Sequence, residues 1–207
     1  MIPVKVLAVR YLANAAPALC KELGVPKGYT SLAMLTTDSD DATYIALDEA
    51  TKAADVGVVY GRSFYAGAGN ATTPNAGEVI GILAGMTPGI VRSGMEAALS
   101  SLQHIGFSQA GQVPYLAYTV SRSGAFLCKQ AGVAEGTPLA YLIAPPLESM
   151  YALDAALKAA DVKLCKLYAP PSETNFGGGL LCGTQSACDA ACAAFAQAVA
   201  EVAAAPR

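Results

Sequence analysis

The chain carries one passage twice. Ala46-Leu47-Asp48-Glu49-Ala50-Thr51-Lys52-Ala53-Ala54-Asp55-Val56 returns as Ala152-Leu153-Asp154-Ala155-Ala156-Leu157-Lys158-Ala159-Ala160-Asp161-Val162, with nine of eleven positions identical at an offset of 106 residues. That offset is close to half of the 207 residues, so the chain reads as two copies of one unit. A unit of about 100 residues is a natural domain size. Leu19-Cys20-Lys21 also returns, as Leu127-Cys128-Lys129, so the duplication reaches beyond one helix. The copies are assigned to residues 1–108 and 109–207, with the junction in Gln103–Gln112. Residues that both copies keep belong to fold or assembly. Residues that differ mark where the roles of the copies have parted.

Each copy reads in the same order of elements. The first opens with an alternating strand over Val4–Arg10 and a short helix over Ala15–Leu23, stopped by Gly24 and Pro26. A strand over Ser31–Thr36 leads through an acidic turn into the helix with the repeated passage. A strand over Val56–Tyr60, a loop over Gly61–Gly77, a strand over Val79–Ala84 and a helix over Pro88–Leu102 complete it. The second copy places strands at Val113–Ser121, Pro138–Ala144, Val162–Tyr168 and Leu180–Cys182. Its helices fall at Ala125–Ala131, the repeated passage and Gln185–Ala203, and its loop at Ser172–Gly179. The mixture predicts an α+β fold, with helices on one side of a small sheet in each copy.

Composition excludes several classes of function. Apolar residues make up 54 % and charged residues 14 %, a low charge that suggests much surface covered by other subunits. The net charge of −3 and the lack of a basic run argue against nucleic acid. No apolar stretch approaches the ~20 residues needed to cross a bilayer, so no membrane role is expected. Met1-Ile2-Pro3-Val4-Lys5-Val6 lacks a signal-peptide layout, and the six cysteines then read as reduced cytosolic thiols. Without secretion, Asn70-Ala71-Thr72 matches a glycosylation acceptor by chance.

No catalytic signature stands out. Neither a phosphate-binding GxxxxGK loop nor a GxSxG elbow is present, and the only histidine, His104, reads as a surface or capping residue. Cys182, Cys188 and Cys192 are not a CxxC pair. Their counterparts in the first copy are Ala84, Ile90 and Gly94, so packing is favoured over a metal site. The clearest asymmetry is Asp38-Ser39-Asp40-Asp41, which stands opposite Ala144-Pro145-Pro146-Leu147. An Asp there can satisfy the first free N–H groups of the helix. Three exceed that need, and a carboxylate cluster can also hold a cation. Glu78 is likewise unmatched. Two glycine-bearing loops, around Phe64, Tyr65, Gly67 and Gly69 and around Phe176, Gly177 and Gly178, each hold an aromatic that can plug a hole. Either is equally an ordinary surface loop. Lys52 and Lys158 share one slot, open to a solvated role or to a contact needed in both halves.

The passage from Ser31-Leu32-Ala33-Met34-Leu35 to Lys52-Ala53-Ala54-Asp55-Val56, repeated from Pro138 to Val162, resembles the bacterial microcompartment shell domain. Thr36 through Ala46, Val59-Tyr60-Gly61-Arg62-Ser63, Tyr141 through Glu148 and Pro170 through Asn175 resemble the ethanolamine-utilisation members of that family over nearly the full length. The resemblance implies two tandem circularly permuted shell domains. Three chains would form a flat pseudo-hexamer that tiles with other shell proteins around the ethanolamine-degrading enzymes. It implies that Lys52 and Lys158 contact neighbours at tile edges. The two loops would surround a central pore that opens and closes. Asp40, Asp41 and Glu78, with Phe107 adjacent, would line a small acidic pore that binds ethanolamine. Cobalamin is a second ligand of the family, and no cofactor is required. The rival readings are a tandem small-molecule regulatory protein, forming a discrete dimer or tetramer, and an enzyme whose acids lack an evident partner.

Overall fold

The computed structural model describes residues 1–64, 79–170 and 175–206. The described elements run β1 (Val6–Leu12), α1 (Pro17–Glu22), β2 (Ser31–Thr37), α2 (Asp40–Ala53), β3 (Gly57–Ser63), β4 (Val79–Gly85) and α3 (Pro88–Ser101). They continue with β5 (Ser108–Ala110), β6 (Val113–Val120), α4 (Ala125–Ala131), β7 (Leu139–Ala144), α5 (Pro146–Ala159), β8 (Val162–Tyr168), β9 (Gly177–Gly183) and α6 (Gln185–Ala204).

The duplication is visible as topology. One sheet is ordered β1-β2-β4-β3 and the other β5-β6-β7-β9-β8, every ladder antiparallel. Removing β5 leaves two sheets with the same connections. Even an irregularity is repeated: β3 shifts register between Val58 and Tyr60, and β8 between Leu164 and Lys166. Each pair of positions differs by the offset of the repeated passage. A bulge kept in both copies re-aims the edge strand after it.

Two compact units divide the chain. An N-terminal unit comprises Pro3–Ile105 with Gly124–Phe126, and a C-terminal unit comprises Met1–Ile2, Gly106–Ser123 and the chain from Leu127 onward. In the N-terminal unit α2 and α3 pack together over β2 and β4. Ala42, Ile45, Ala46 and Ala50 of α2, with Val91, Met95 and Ala98 of α3, are buried there. Small side chains at helical spacing let the two backbones approach closely. In the C-terminal unit Ala152, Leu153 and Ala156 of α5 meet Cys188, Ala191, Phe195 and Val199 of α6 over Ala140, Leu142 and Leu181. Burying a side chain such as Phe195 fully contributes about 1.5–3 kcal/mol. The second helix of each pair starts with the aid of a threonine: Ile90 N–H donates to Thr87 Oγ1 and Ala187 N–H to Thr184 Oγ1.

Three sequence expectations are corrected. Gly177, Gly178 and Gly179 read as loop residues but open β9, all three paired to β7, with Gly178 and Gly179 paired to β8 as well. Glycine usually ends a strand pattern; here the sheet needs residues without side chains. Gly61, Arg62 and Ser63 also belong to a strand, the end of β3, and Phe64 follows directly. Finally, α6 is long and apolar enough to cross a membrane by length and composition, against the expectation that no segment would be. Its Cys188, Ala191, Cys192, Phe195, Ala198 and Val199 form a buried stripe against its own unit, which explains its apolarity as that of a core helix.

Candidate functional site

The acidic turn sits where β2 ends and α2 begins. Thr37 starts the turn by bonding within it. Its hydroxyl donates to Ser39 O at 2.9 Å and accepts from Ser39 N–H at 3.1 Å. Thr43 donates to the same carbonyl at 2.8 Å, and the two threonine hydroxyls lie 2.7 Å apart. Asp38 is a clasp: its carboxylate accepts Lys5 N–H at 2.7 Å, and its own N–H donates to Lys5 O at 3.2 Å. That bond holds the start of the first strand against the turn and takes Asp38 out of the candidate site.

Ser39 occupies the N-cap, with Asp40 and Asp41 in the first turn of α2, where the positive end of the helix favours anions. Asp40 Oδ1 accepts Asp41 N–H at 2.9 Å, so one acid does satisfy a first-turn donor. The two side chains differ from ordinary capping groups in burial. Asp40 is 8 % and Asp41 7 % exposed. Their counterparts in α5, Pro146 and Leu147, are exposed. The apolar copy faces solvent and the acidic copy does not, which is the reverse of what hydrophobicity alone gives.

Burial raises the Asp40 pKa above the ordinary carboxylate value, since a desolvated charge is disfavoured. A hydrogen bond from Ser63, the Asp41 and Asp40 backbone N–H groups and the Asp41 side chain oppose that rise without cancelling it. Ser63 in turn lies 2.5 Å from the Tyr44 hydroxyl. For Ser63 to donate to Asp40, Tyr44 must donate to Ser63. Tyr44, Ser63 and Asp40 thus form a chain of hydroxyls ending on a buried acid. Ser63 and Tyr44 are site residues that sequence reasoning passed over. Their only signal was position: Ser63 closes β3 and Tyr44 lies one turn after Asp40.

The other predicted residues are placed as follows. Glu78, Tyr65, Gly67 and Gly69 lie outside the described residues. Phe107 belongs to the C-terminal unit, where its ring meets Phe176 at 5.8 Å between centroids. Phe64 is half-buried at the end of β3. Lys52 pairs with Glu49 and approaches Asp48 at 3.7 Å; Lys158 pairs with Asp154 at 2.6 Å. Among the thiols, burial pushes Cys192 up to about 11, and burial with the neighbouring Cys182 pushes Cys165 up to about 12. They stay protonated at neutral pH and pack as small apolar groups.

A family model for the BMC domain matches residues 31–114. Over 210 residues the chain is 57 % identical to the bacterial microcompartment shell protein EutL of Clostridium perfringens, covering 100 % of this chain and 97 % of that protein. It is 47 % identical over 207 residues to the EutL of Salmonella typhimurium, covering 98 % and 94 %. The crystal structure of ethanolamine utilization protein EutL from Leptotrichia buccalis aligns with a TM-score of 0.96 at 57 % identity, over 99 % of this chain and 96 % of that one.

Proposed function

Because the chain belongs to the EutL family of bacterial microcompartment shell proteins, we propose that it works as a trimeric tile whose acidic turns recognise ethanolamine. It is a structural component of a microcompartment shell and not an enzyme. The observation that carries the tile is the duplicated sheet, shared in sequence and fold over the full length with EutL shell proteins. Three copies of a two-unit chain make six similar lobes, the number that a flat hexagonal layer needs. In such a tile Lys52 and Lys158 reach neighbours at the edges. Phe64, Tyr65, Gly67, Gly69 and Phe176, with Gly177 and Gly178 behind it, surround the central pore. Light scattering of the purified chain should give a mass three times that of one chain, and electron microscopy of concentrated protein should give flat sheets. A chain that stays monomeric, or a discrete dimer or tetramer that never tiles, overturns the reading and favours the regulatory alternative.

Ethanolamine fits the acidic turn by chemistry. It is a small ammonium cation with one hydroxyl, and carboxylates give charge-assisted bonds to such a group. Asp40 and Asp41, joined by Glu78, supply those carboxylates. Asp40 with its raised pKa is charged only above that raised value, so binding weakens as pH falls through it. Calorimetry should give no ethanolamine binding for Asp40→Asn with Glu78→Gln, while the oligomer stays intact. Binding that is unchanged in that variant, or that does not weaken as pH falls, removes ethanolamine from this turn.

A further inference from the structure

We infer that the outer edge of β1 takes on an extended segment of another protein as a fifth strand, with uncharged, apolar side chains of that segment set into the groove between β1 and the end of α3. The inference goes beyond the tile reading and needs no particular oligomer.

The C-terminal unit shows the kind of segment that such an edge accepts. Its sheet shares the connections of the N-terminal sheet, except that β6 is paired on its outer side and β1 is not. β5 runs antiparallel along the start of β6, with Ser108 opposite Tyr115, Gln109 opposite Pro114 and Ala110 opposite Val113. Ala110, Val113 and Tyr115 pack on the core of that unit, and β5 touches α6. A short strand with a small side chain on the core side thus fills the angle between the sheet edge and the last helix.

In the N-terminal unit the same angle is a groove of about 410 Å³. Pro3, Val4 and Val6 line it from the strand side, and Leu99, Leu102 and Gln103 from the end of α3. No charged side chain lines it, so a group that enters it is uncharged. Val6 is 39 % exposed there, although it is apolar and lies in a strand.

The backbone of this edge is open as well. Lys5 turns both of its backbone groups to Asp38: its N–H donates to the carboxylate at 2.7 Å, and its carbonyl accepts the Asp38 N–H at 3.2 Å. Neighbouring residues of a strand point these groups to opposite sides, so those of Val4 and Val6 point away from β2. An edge of this kind is a template for pairing with another chain. Val4 and Val6 therefore offer backbone groups outward and side chains to the groove at once. An added strand meets both, through its own backbone and through side chains two residues apart. A docked helix would fill the groove and leave those backbone groups unmet. The chain's own strand of this kind, β5, is already paired to β6, so the segment comes from another protein.

Peptide titration tests the inference. The probe is a fluorescein-labelled peptide in which valine alternates with threonine, ending in lysine for solubility, added to the full-length chain. Its anisotropy should rise to saturation. The same peptide with N-methyl groups on its backbone keeps every side chain but loses donors, and should bind about tenfold more weakly. Leu99→Gln, which sets an amide in the groove wall, should weaken binding too. Val6→Pro removes an N–H that points away from β2, so the sheet stays intact while binding falls. The methylated peptide and Leu99→Gln keep the test should Val6→Pro fold poorly. Equal binding of the plain and methylated peptides means that the groove holds side chains alone, and overturns strand addition. So does the lack of saturation at millimolar peptide. A smaller oligomer by light scattering in Leu99→Gln means that a second copy of this chain fills the groove, and overturns the choice of partner.

Discussion

Gly178→Ala is expected to abolish folding of the C-terminal unit. Gly178 has φ +146°, a conformation that residues with a side chain rarely adopt. A Cβ there would stand 1.9 Å from Leu142 O and 2.8 Å from Leu142 C. Those atoms are backbone of β7, the strand at the centre of that sheet, paired to β6 on one side and β9 on the other. A flexible side chain could move aside, whereas a central strand moves only by breaking its ladder. The loss exceeds about 4 kcal/mol, the range reserved for steric failures in a core. That is most of the about 5–15 kcal/mol that holds a domain folded. Thermal unfolding followed by circular dichroism checks this: the variant should be insoluble or lack a cooperative transition. A transition within about 1 kcal/mol of the parent would mean that β7 and β9 do not pair in this register.

Asp48→Ala should cost about 1–3 kcal/mol, the effect of leaving a buried N–H donor without its acceptor. Asp48 is 0 % exposed, accepts the Gly124 N–H and faces the Lys52 amine. Its removal strands a buried N–H and weakens the hold on Gly124–Phe126. The repeat provides the control. Asp154 occupies the same slot of the same motif, but its side chain is 63 % exposed and its pairing with Lys158 is on the surface. An exposed pair contributes about 0–1 kcal/mol, so Asp154→Ala should leave the fold of the chain nearly unchanged. Any larger loss should depend on protein concentration, the signature of an assembled form. Denaturant unfolding at two concentrations separates these. Equal losses at the two aspartates would refute the different environments assigned to them.

The repeated helix was legible because its information is local. Alanines at helical spacing, and glycines or prolines just outside, specify α2, α3, α5 and α6 to within a few residues. The alternating strands β6 and β8 follow from the same kind of pattern. The glycine run Gly177-Gly178-Gly179 misled because a glycine reports only the absence of a side chain. Whether that freedom serves a turn or a close approach depends on Leu142, which lies far along the chain.

The site divides in the same way. The acidic turn was legible because it differs between copies: three acids on one side, two prolines and a leucine on the other. That Asp38 would be a clasp for Lys5, while Asp40 would be buried against Ser63, was not. Burial and pKa depend on which distant segment covers a carboxylate, and no run of neighbouring residues carries that.

Residue order is enough to specify one unit made twice, with the helices and strands of each copy and the positions at which the copies diverge. What identical residues do depends on the folded chain. Asp48 and Asp154 stand in the same motif, yet one is sealed over Gly124 and the other is open to solvent. Local conformation follows from neighbours in the chain. The environment of a side chain follows from what folds against it, and in this protein the two copies of one helix have different segments to fold against.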